Sequence, residues 1–160
     1  MGKRKIRKEC EIDAPIALVW ELMTDLGGYS DWNPFVVSAA SSGGGATVGA
    51  LLDLTVRWHD GGESRSTEEV LVAKAPDAGG GAQEATWVYS YRSWMCTIGM
   101  VRSVRSQRLT QTNGASTTYV SEIELSGWGV GGVPFAKIDR GIQAQADALK
   151  AVAEARAGQG

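Results

Sequence analysis

The sequence predicts an α+β fold in which a curved sheet of seven antiparallel strands wraps onto a long C-terminal helix. Residues 36–127 alternate apolar and polar side chains between glycine-rich turns, which is typical of strands joined as hairpins. One strand-like segment and two short helical segments come before them, and a segment of helical period follows. Residues 1–160 are expected to form a single domain, because this length suits one core and is short for two.

The first 35 residues predict one strand followed by two short helices. Residues 6–12 (IRKECEI) begin and end with isoleucine on the same side of an extended chain. Pro15 ends this strand, because it lacks an amide hydrogen, and it suits the first turn of a helix. Ile16, Val19, Trp20 and Met23 then form one apolar helical stripe. Residues 29–35 (YSDWNPF) follow as a short turn or second helix.

Six further strands are predicted between the short helices and the long helix. Residues 50–59 (ALLDLTVRWH) alternate in character, and residues 84–94 (EATWVYSYRSW) are rich in aromatic and β-branched side chains. Asp60-Gly61 predicts a type I′ hairpin turn, and Asn113-Gly114 is the strongest hairpin signal in the chain. These turns place consecutive strands side by side in antiparallel order.

The period changes to that of a helix after residue 132. The apolar spacing predicts a helix over residues 133–156, which at the standard rise is about 35 Å long and should cross the whole sheet. Gly127 to Gly132 (GWGVGG) match G-x-G-x-x-G, but a dinucleotide-binding turn lies between parallel strands. The strand before these glycines belongs to antiparallel hairpins, and the sequence ends after the helix. We therefore expect the glycines to turn the chain from the last strand onto the helix.

Composition excludes several classes of protein. The 16 Lys and Arg residues against 18 Asp and Glu give a net charge of −2, which argues against a general nucleic-acid binder. No segment reaches the roughly 18 apolar residues of a membrane span, and no apolar signal region follows the basic start. We expect a cytoplasmic monomer or homodimer without stable membrane insertion. Cys10 and Cys96 lie in no metal-binding motif, so we expect two buried free thiols, no metal and no cofactor.

The order of these elements resembles the helix-grip superfamily of birch-pollen-allergen-like and START-like proteins, in particular its polyketide cyclase/dehydrase branch. The segments that carry the resemblance are IDAPIALVWELMTDLGGYSDWNPF (12–35), ATWVYSYR (85–92) and TTYVSEIELSGWG (117–129). The resemblance implies a cavity for a hydrophobic or aromatic small molecule under the last helix. Members include polyketide aromatase/cyclases, hormone and lipid carriers, ubiquinone-binding proteins and a few lyases. No catalytic motif is common to them, so only the cavity is carried over.

The predicted cavity wall takes its side chains from one face of each strand and from the long helix. Its aromatic side chains suit stacking on a flat ligand, and a tyrosine hydroxyl in an apolar cavity orients a ligand carbonyl or donates a proton. The predicted ligand-binding residues are Trp32, Phe35, Val56, Trp58, Trp87, Tyr89, Tyr91, Trp94, Arg105, Gln107, Tyr119, Ile123, Phe135, Ile138 and Ile142.

The candidates for catalysis are Tyr89, Tyr91, Arg105 and Asp31. If the strand face that carries Arg105 and Gln107 points inward, these two side chains supply the polar groups that contact a ligand, and Arg105 would stabilise an enolate. The alternative, which the pattern favours for every strand arginine, is a solvated charge. Asp31 is either a general base near the cavity mouth or an acidic residue that helps the short helix start, which is favoured.

Three kinds of function remain open. The sequence contains no evident acid–base dyad, which favours a protein that binds a hydrophobic or aromatic small molecule (polyketide-, lipid- or quinone-like) between sheet and helix. The alternative is a polyketide aromatase/cyclase or dehydratase that acts on a ligand there. A protein–protein interaction module is the third, and it predicts a filled interior.

Overall fold

Seven strands and one long helix form most of the computed structural model, which describes residues 2–77, 79, 82–111, 114 and 116–159. The strands are β1 (Gly2–Ile12), β2 (Val36–Ser41), β3 (Leu51–Arg57), β4 (Glu63–Lys74), β5 (Gln83–Arg92), β6 (Arg102–Gln111) and β7 (Thr117–Gly127). The helices are α1 (Ile16–Thr24), α2 (Tyr29–Trp32), α3 (Trp94–Thr97) and α4 (Phe135–Ala157), with 3₁₀ turns at Leu26–Gly28 and Val130–Gly132.

The strands form one antiparallel sheet in the order β1-β7-β6-β5-β4-β3-β2. Strands β2 to β7 pair with their neighbours in sequence, and β1 pairs with β7, where Ile6 lies opposite Ile123. Register shifts after Val36 and Val70 mark bulges, which bend a sheet and increase its twist. The predicted fold class is confirmed: an antiparallel sheet of seven strands, short helices after the first strand, and a long C-terminal helix.

Helix α1 packs against β5, β6 and α4. It follows Pro15, which has extended backbone (φ −62°, ψ 146°) at the end of the first strand segment, as predicted. The fully buried residues of this helix are Ile16, Val19, Leu22 and Met23. Trp20, which the apolar stripe also predicts as core, is only partly buried. The end of the sheet under α1 is therefore filled with side chains.

Helix α4 begins at Phe135, two positions after its predicted start. Val133 is extended (φ −74°, ψ 135°), as proline requires of the residue before it, so the helix starts only beyond Pro134. The helix packs against β1 and α1. Its buried residues are Ile142, Gln145, Ala146, Leu149 and Ala153. None of the helices in the described part of the chain is long and apolar enough to cross a membrane.

Residues 127–132 turn the chain from β7 to α4. Gly127 has a φ of +126°, and a Cβ at this position would overlap the carbonyl oxygen of Met100. Both the backbone conformation and the neighbouring segment therefore require glycine here. The strand before this turn pairs antiparallel with β1 and with β6, as expected for a turn onto the helix and unlike a dinucleotide-binding unit.

Two local predictions in the hairpin region are wrong. Asp60-Gly61 does not form a type I′ turn, because that turn needs positive φ at both central residues, and only Gly61 (φ +90°) has it. The strand predicted over residues 84–94 ends at Arg92. Ser93 accepts a hydrogen bond from the Met95 amide (3.3 Å) and so caps α3, a helix that the aromatic content of the segment conceals.

The predicted Asn113-Gly114 turn is only partly described. Gly114 has a φ of +67°, the left-handed conformation that glycine favours, while Asn113 lies outside the described residues.

Candidate ligand-binding site

A cavity of about 490 Å³, partly open to solvent, lies between the sheet and the first half of α4. Ile138 and Ile142, one turn apart on α4, form its roof. Its floor comes from strands β3 to β7, and Met100 and Val133 from the flanking loops add to a mostly apolar wall. The space under α4 is therefore open at this end and not filled with side chains.

Nine of the predicted ligand-binding residues line this cavity. Phe35 and Trp58 meet edge to face, with ring centroids 5.8 Å apart, and form one side of the wall. The nine residues are Phe35, Val56, Trp58, Tyr89, Tyr91, Arg105, Ile123, Ile138 and Ile142. The structure thus brings together most of the predicted wall from four strands, one helix and the loops beside β2 and β3.

Three of the other predicted residues lie in the packed core, and a fourth, Trp32, is partly buried against it. Trp87 is 1% exposed, and its Nε1 donates to the carbonyl oxygen of Gly45 (2.9 Å). Tyr119 and Gln107 are fully buried, and the Tyr119 hydroxyl donates to Gln107 Oε1 (2.6 Å). Trp32 packs edge to face on Tyr29, with centroids 5.3 Å apart. None of the four is among the residues that line the cavity as described.

The remaining predicted residues lie nearer the surface. Trp94 is 69% exposed, because it is the first residue of α3 and not the end of a strand. Phe135 carries the Arg4 guanidinium over its ring at 5.1 Å, outside the cavity lining. Asp31 is exposed in the first turn of α2, which fits the favoured helix-start interpretation. The position of Trp94 corrects the interpretation of residues 84–94 as one strand.

Arg105 is the main correction among the charged residues. The sequence pattern favours a solvated side chain, yet only 5% of Arg105 is exposed, because its face of β6 points inward. Its Nη1 donates to Tyr89 Oη (3.2 Å) and Gln145 Oε1 (2.9 Å), while Nε and Nη2 donate to Ser121 Oγ (3.3 and 3.1 Å). All these acceptors are neutral, so a buried positive charge stands in the wall without an ion-pair partner among the described residues.

Tyr89 connects this charge to the cavity. Its hydroxyl oxygen accepts from Arg105 Nη1 and from Gln107 Nε2 (3.1 Å). Burial raises the pKa of Tyr89 to about 12, although the charge of Arg105 opposes the rise. The hydroxyl therefore keeps its proton at neutral pH. Since no acceptor for that proton occurs among the described residues, the hydroxyl is free to donate it to a ligand.

Glu68 on β4 also lines the cavity, although sequence reasoning did not select it. Its carboxylate accepts one long hydrogen bond, from Ser66 Oγ (3.4 Å). Burial raises the pKa of Glu68 to about 7, and the attraction of Arg105 and the Ser66 hydrogen bond only partly oppose this. At neutral pH this carboxyl group is therefore present in both its protonated and its ionised form.

A sequence profile of the family described as "Polyketide cyclase / dehydrase and lipid transport" matches residues 3–154. The chain belongs to this family. The resemblance that the sequence motifs indicated is thereby confirmed over nearly the whole chain. A comparison with proteins of curated function finds no significant match.

Several solved structures share the fold of this protein at low sequence identity. The aromatase/cyclase Zhui from Streptomyces sp. R1128 gives a TM-score of 0.69 at 18% identity, over 97% of this chain and 96% of that one. A norcoclaurine synthase point mutant from Thalictrum flavum gives 0.63 at 19%, over 95% and 94%. Major latex-like protein 151 from Panax ginseng gives 0.68 at 15%, over 94% and 97%. At these identities the similarity shows a common fold.

Sequence analysis did not predict two residues of this protein's candidate site, Glu68 and Gln145, although the sequence carries a signal for each. Glu68 is two positions before Val70, which is fully buried, so a period of two places both on the inward face of β4. Gln145 is three positions after Ile142 and four before Leu149, so it occupies the buried stripe of α4. In both cases a polar residue occupies a position that the alternation of the strand or the stripe of the helix assigns to the buried face, and this marks it as a candidate site residue.

Other chemistry-bearing residues lie away from this cavity. His59 is exposed in the loop between β3 and β4. Cys10 and Cys96 are free, as expected, but only partly buried. Within the described ranges, no cluster of three or more His, Cys, Asp or Glu side chains is arranged to hold a metal ion.

Proposed function

We propose that this protein binds a hydrophobic or aromatic small molecule, polyketide-, lipid- or quinone-like, in the cavity between the sheet and α4. The observation that carries the proposal is the cavity itself, whose volume of about 490 Å³ lies in the usual range for small-molecule sites. A ligand that covers its apolar wall gains roughly 25 cal/mol for each Å² of apolar surface removed from water. The lipid transport and polyketide cyclase descriptions of the family support the same class of ligand.

The polar groups of the wall would fix the orientation of such a ligand. Arg105 and the Tyr89 hydroxyl are hydrogen-bond donors in the wall of a mostly apolar cavity, so a ligand with one oxygen acceptor would place that oxygen against them. The edge-to-face pair of Phe35 and Trp58 offers aromatic contacts elsewhere in the wall. A flat ring system with a single carbonyl or hydroxyl group matches this distribution.

Titration with the neutral fluorophore N-phenyl-1-naphthylamine tests this proposal. Saturable binding with a dissociation constant of about micromolar strength is expected. Ser103→Trp places an indole in the cavity, because Ser103 lines it, and should weaken binding at least about tenfold. Ser106→Trp is the matched control on the opposite face of β6 and should bind as the unmodified protein does. Absence of saturable binding, or equal loss in both variants, would contradict the proposal.

The second candidate is a polyketide aromatase/cyclase or dehydratase. It is favoured by one observation that sequence reasoning lacked: a carboxyl group with a pKa of about 7, Glu68, lines the same cavity as Arg105. Incubation with an aromatic polyketide precursor, followed by product analysis, separates the two candidates. A product distribution that the protein leaves unchanged, together with retention of the fluorophore, would leave binding as the function.

A further inference from the structure

Three ionisable side chains from adjacent strands meet on the inner face of the sheet. Tyr89 on β5 lies directly opposite Arg105 on β6, and Glu68 on β4 lies opposite Tyr91, two positions along β5 from Tyr89. All three side chains line the cavity. The wall therefore brings a carboxyl group, a phenol and a guanidinium together on one patch of the sheet.

Arg105 and Tyr89 act as hydrogen-bond donors on this patch. The described acceptors of Arg105 are all neutral, so its charge is available to stabilise negative charge that develops on a ligand. The Tyr89 hydroxyl accepts from Arg105 and Gln107, which leaves its own hydrogen for a ligand oxygen. Two donors placed in advance on a mostly apolar wall form the type of site that stabilises an oxyanion.

Glu68 supplies the opposite chemistry, that of a base. No lysine or arginine among the described residues forms an ion pair with it, and its one hydrogen bond, from Ser66, is long (3.4 Å). Burial raises its pKa to about 7, so about half of its carboxyl groups are ionised at neutral pH. The other ionisable side chains that line this cavity are Arg65 on β4, Tyr89 and Tyr91 on β5, and Arg105 on β6. The facing turns of α4 contribute only isoleucines, Ile138 and Ile142.

We propose that this patch catalyses proton transfer at the carbon next to the carbonyl group of an aromatic ketone, a step that rests on the proposed binding function. The ketone oxygen accepts hydrogen bonds from Tyr89 Oη and Arg105. The α C–H bond breaks, its proton passes to a carboxylate oxygen of Glu68, and its electron pair moves through the carbon–carbon bond onto the oxygen, which becomes an enolate. Return of a proton from Glu68 to the same carbon restores the ketone, so the step needs no other reactant.

A neutral ketone suits proton transfer to Glu68 better than a carboxylate ligand does, although Arg105 would attract either the carboxylate or an enolate. A permanent carboxylate would bring a second anion next to Glu68 in a site where burial already disfavours the first. A neutral carbonyl avoids this repulsion and gains negative charge only as Glu68 becomes neutral. Arg105 then attracts the enolate more strongly than the ketone, and such a difference between states is what lowers a barrier.

Hydrogen–deuterium exchange of 2-tetralone, a bicyclic aromatic ketone, tests the proposal. One NMR sample in D₂O reports both binding, from saturation transfer, and loss of the α-proton signals. The protein should accelerate exchange above the buffer rate, and the acceleration should rise about tenfold between pH 6 and pH 8, as Glu68 ionises. Glu68→Gln, an isosteric change, should bind 2-tetralone and lose about 100-fold of the acceleration. Tyr89→Phe should lose about tenfold, since Arg105 remains as a donor.

Glu69→Gln is the matched control, because Glu69 is the adjacent residue on the outer face of β4, where it pairs with Arg92. It should exchange 2-tetralone as fast as the unmodified protein. Binding without exchange above the buffer rate, or equal exchange in Glu68→Gln and Glu69→Gln, overturns the inference and leaves the binding function intact. If 2-tetralone and the naphthylamine both fail to bind, the proposed function fails, and the inference fails with it.

Discussion

The two halves of α4 lie over opposite kinds of interior. Ala146, Leu149 and Ala153 in the second half are at most 3% exposed, and α1 contacts the helix. In the first half, Ile138 is only partly buried and borders an open cavity. The apolar stripe continues through both halves, so the periodicity of the helix does not cause the difference. The interior is solid under the second half of α4 and open under the first half, so the packing of neighbouring elements, and not the pattern of the helix, makes the difference.

Truncation of one apolar side chain in each half is the strongest test of this comparison. Leu149→Ala removes a side chain that is 1% exposed and leaves a closed void, so it should cost about 3 kcal/mol of unfolding free energy. Ile138→Ala enlarges a cavity that already exists and should cost about 1 kcal/mol. Urea denaturation of both variants measures the two losses. Equal losses would mean that both halves are packed to the same density.

Glu68→Gln tests the cavity under the first half of α4 through the pH dependence of the free energy of unfolding. The pKa of Glu68 is raised from 4.5 to about 7, so the folded protein holds this proton more tightly than the unfolded chain. Stability attributable to Glu68 therefore falls as pH rises from 4.5 to 7 and stays low above pH 7. The variant lacks this loss, and from pH 4 to pH 8 it should gain on the order of 2 kcal/mol relative to the unmodified protein.

Urea denaturation at several pH values measures this gain, with Glu69→Gln on the outer face of β4 as the control. A gain that is the same for both variants would place Glu68 in a solvated environment and remove it from the cavity wall.

The fold could be predicted from the sequence because its signals are local and repeated. Each hairpin carries its own alternation and turn residues, and the apolar spacing after Pro134 predicts the long helix to within two residues at its start. Strand facing is different, because an alternating strand has two faces and its own sequence does not say which one is covered. Arg105 and Gln107 share an inward face, and only the pairing of β6 with β5 and β7 places them against the cavity and core.

The candidate site was predicted in part for the same reason. Residues whose faces were correctly taken as inward, such as Tyr89 and Ile123, line the cavity. Trp87 shares a strand face with Tyr89, yet it is 1% exposed and packs in the core outside the cavity lining, so position along the strand matters as well as strand face. Glu68 was missed because no residue of β4 was predicted to line the cavity. How far along a strand the cavity extends, and which face of the strand another element covers, depend on the tertiary structure and not on the strand's own sequence.

Gly141 lies in the first half of α4, next to Ile142, and gives a smaller test. A Cβ there would overlap the ring of Phe35, which lines the cavity. Alanine favours a helix by about 1 kcal/mol over glycine, but displacement of a packed ring costs about 1–3 kcal/mol. Gly141→Ala should therefore lose about 1 kcal/mol on balance and bind N-phenyl-1-naphthylamine more weakly. Gly131→Ala, at a position with no atom within 4 Å of the new methyl group, is the control. A stabilised Gly141→Ala with unchanged binding would show that Phe35 is free to move.

The smallest effect is expected from the ion pair that joins the first half of α4 to the loop between β3 and β4. Lys137 Nζ lies 2.9 Å from Asp60 Oδ2, and both side chains are largely exposed (41% and 49%). Lys137→Ala should leave the urea midpoint unchanged, because solvent screens exposed pairs. The hydrogen bond from Lys137 lowers the pKa of Asp60, so an NMR titration of the variant should show that pKa return toward its usual value. If Lys137→Ala instead lowers the midpoint as far as Ile138→Ala, the ion pair and not the apolar wall holds the first half of α4 over the cavity.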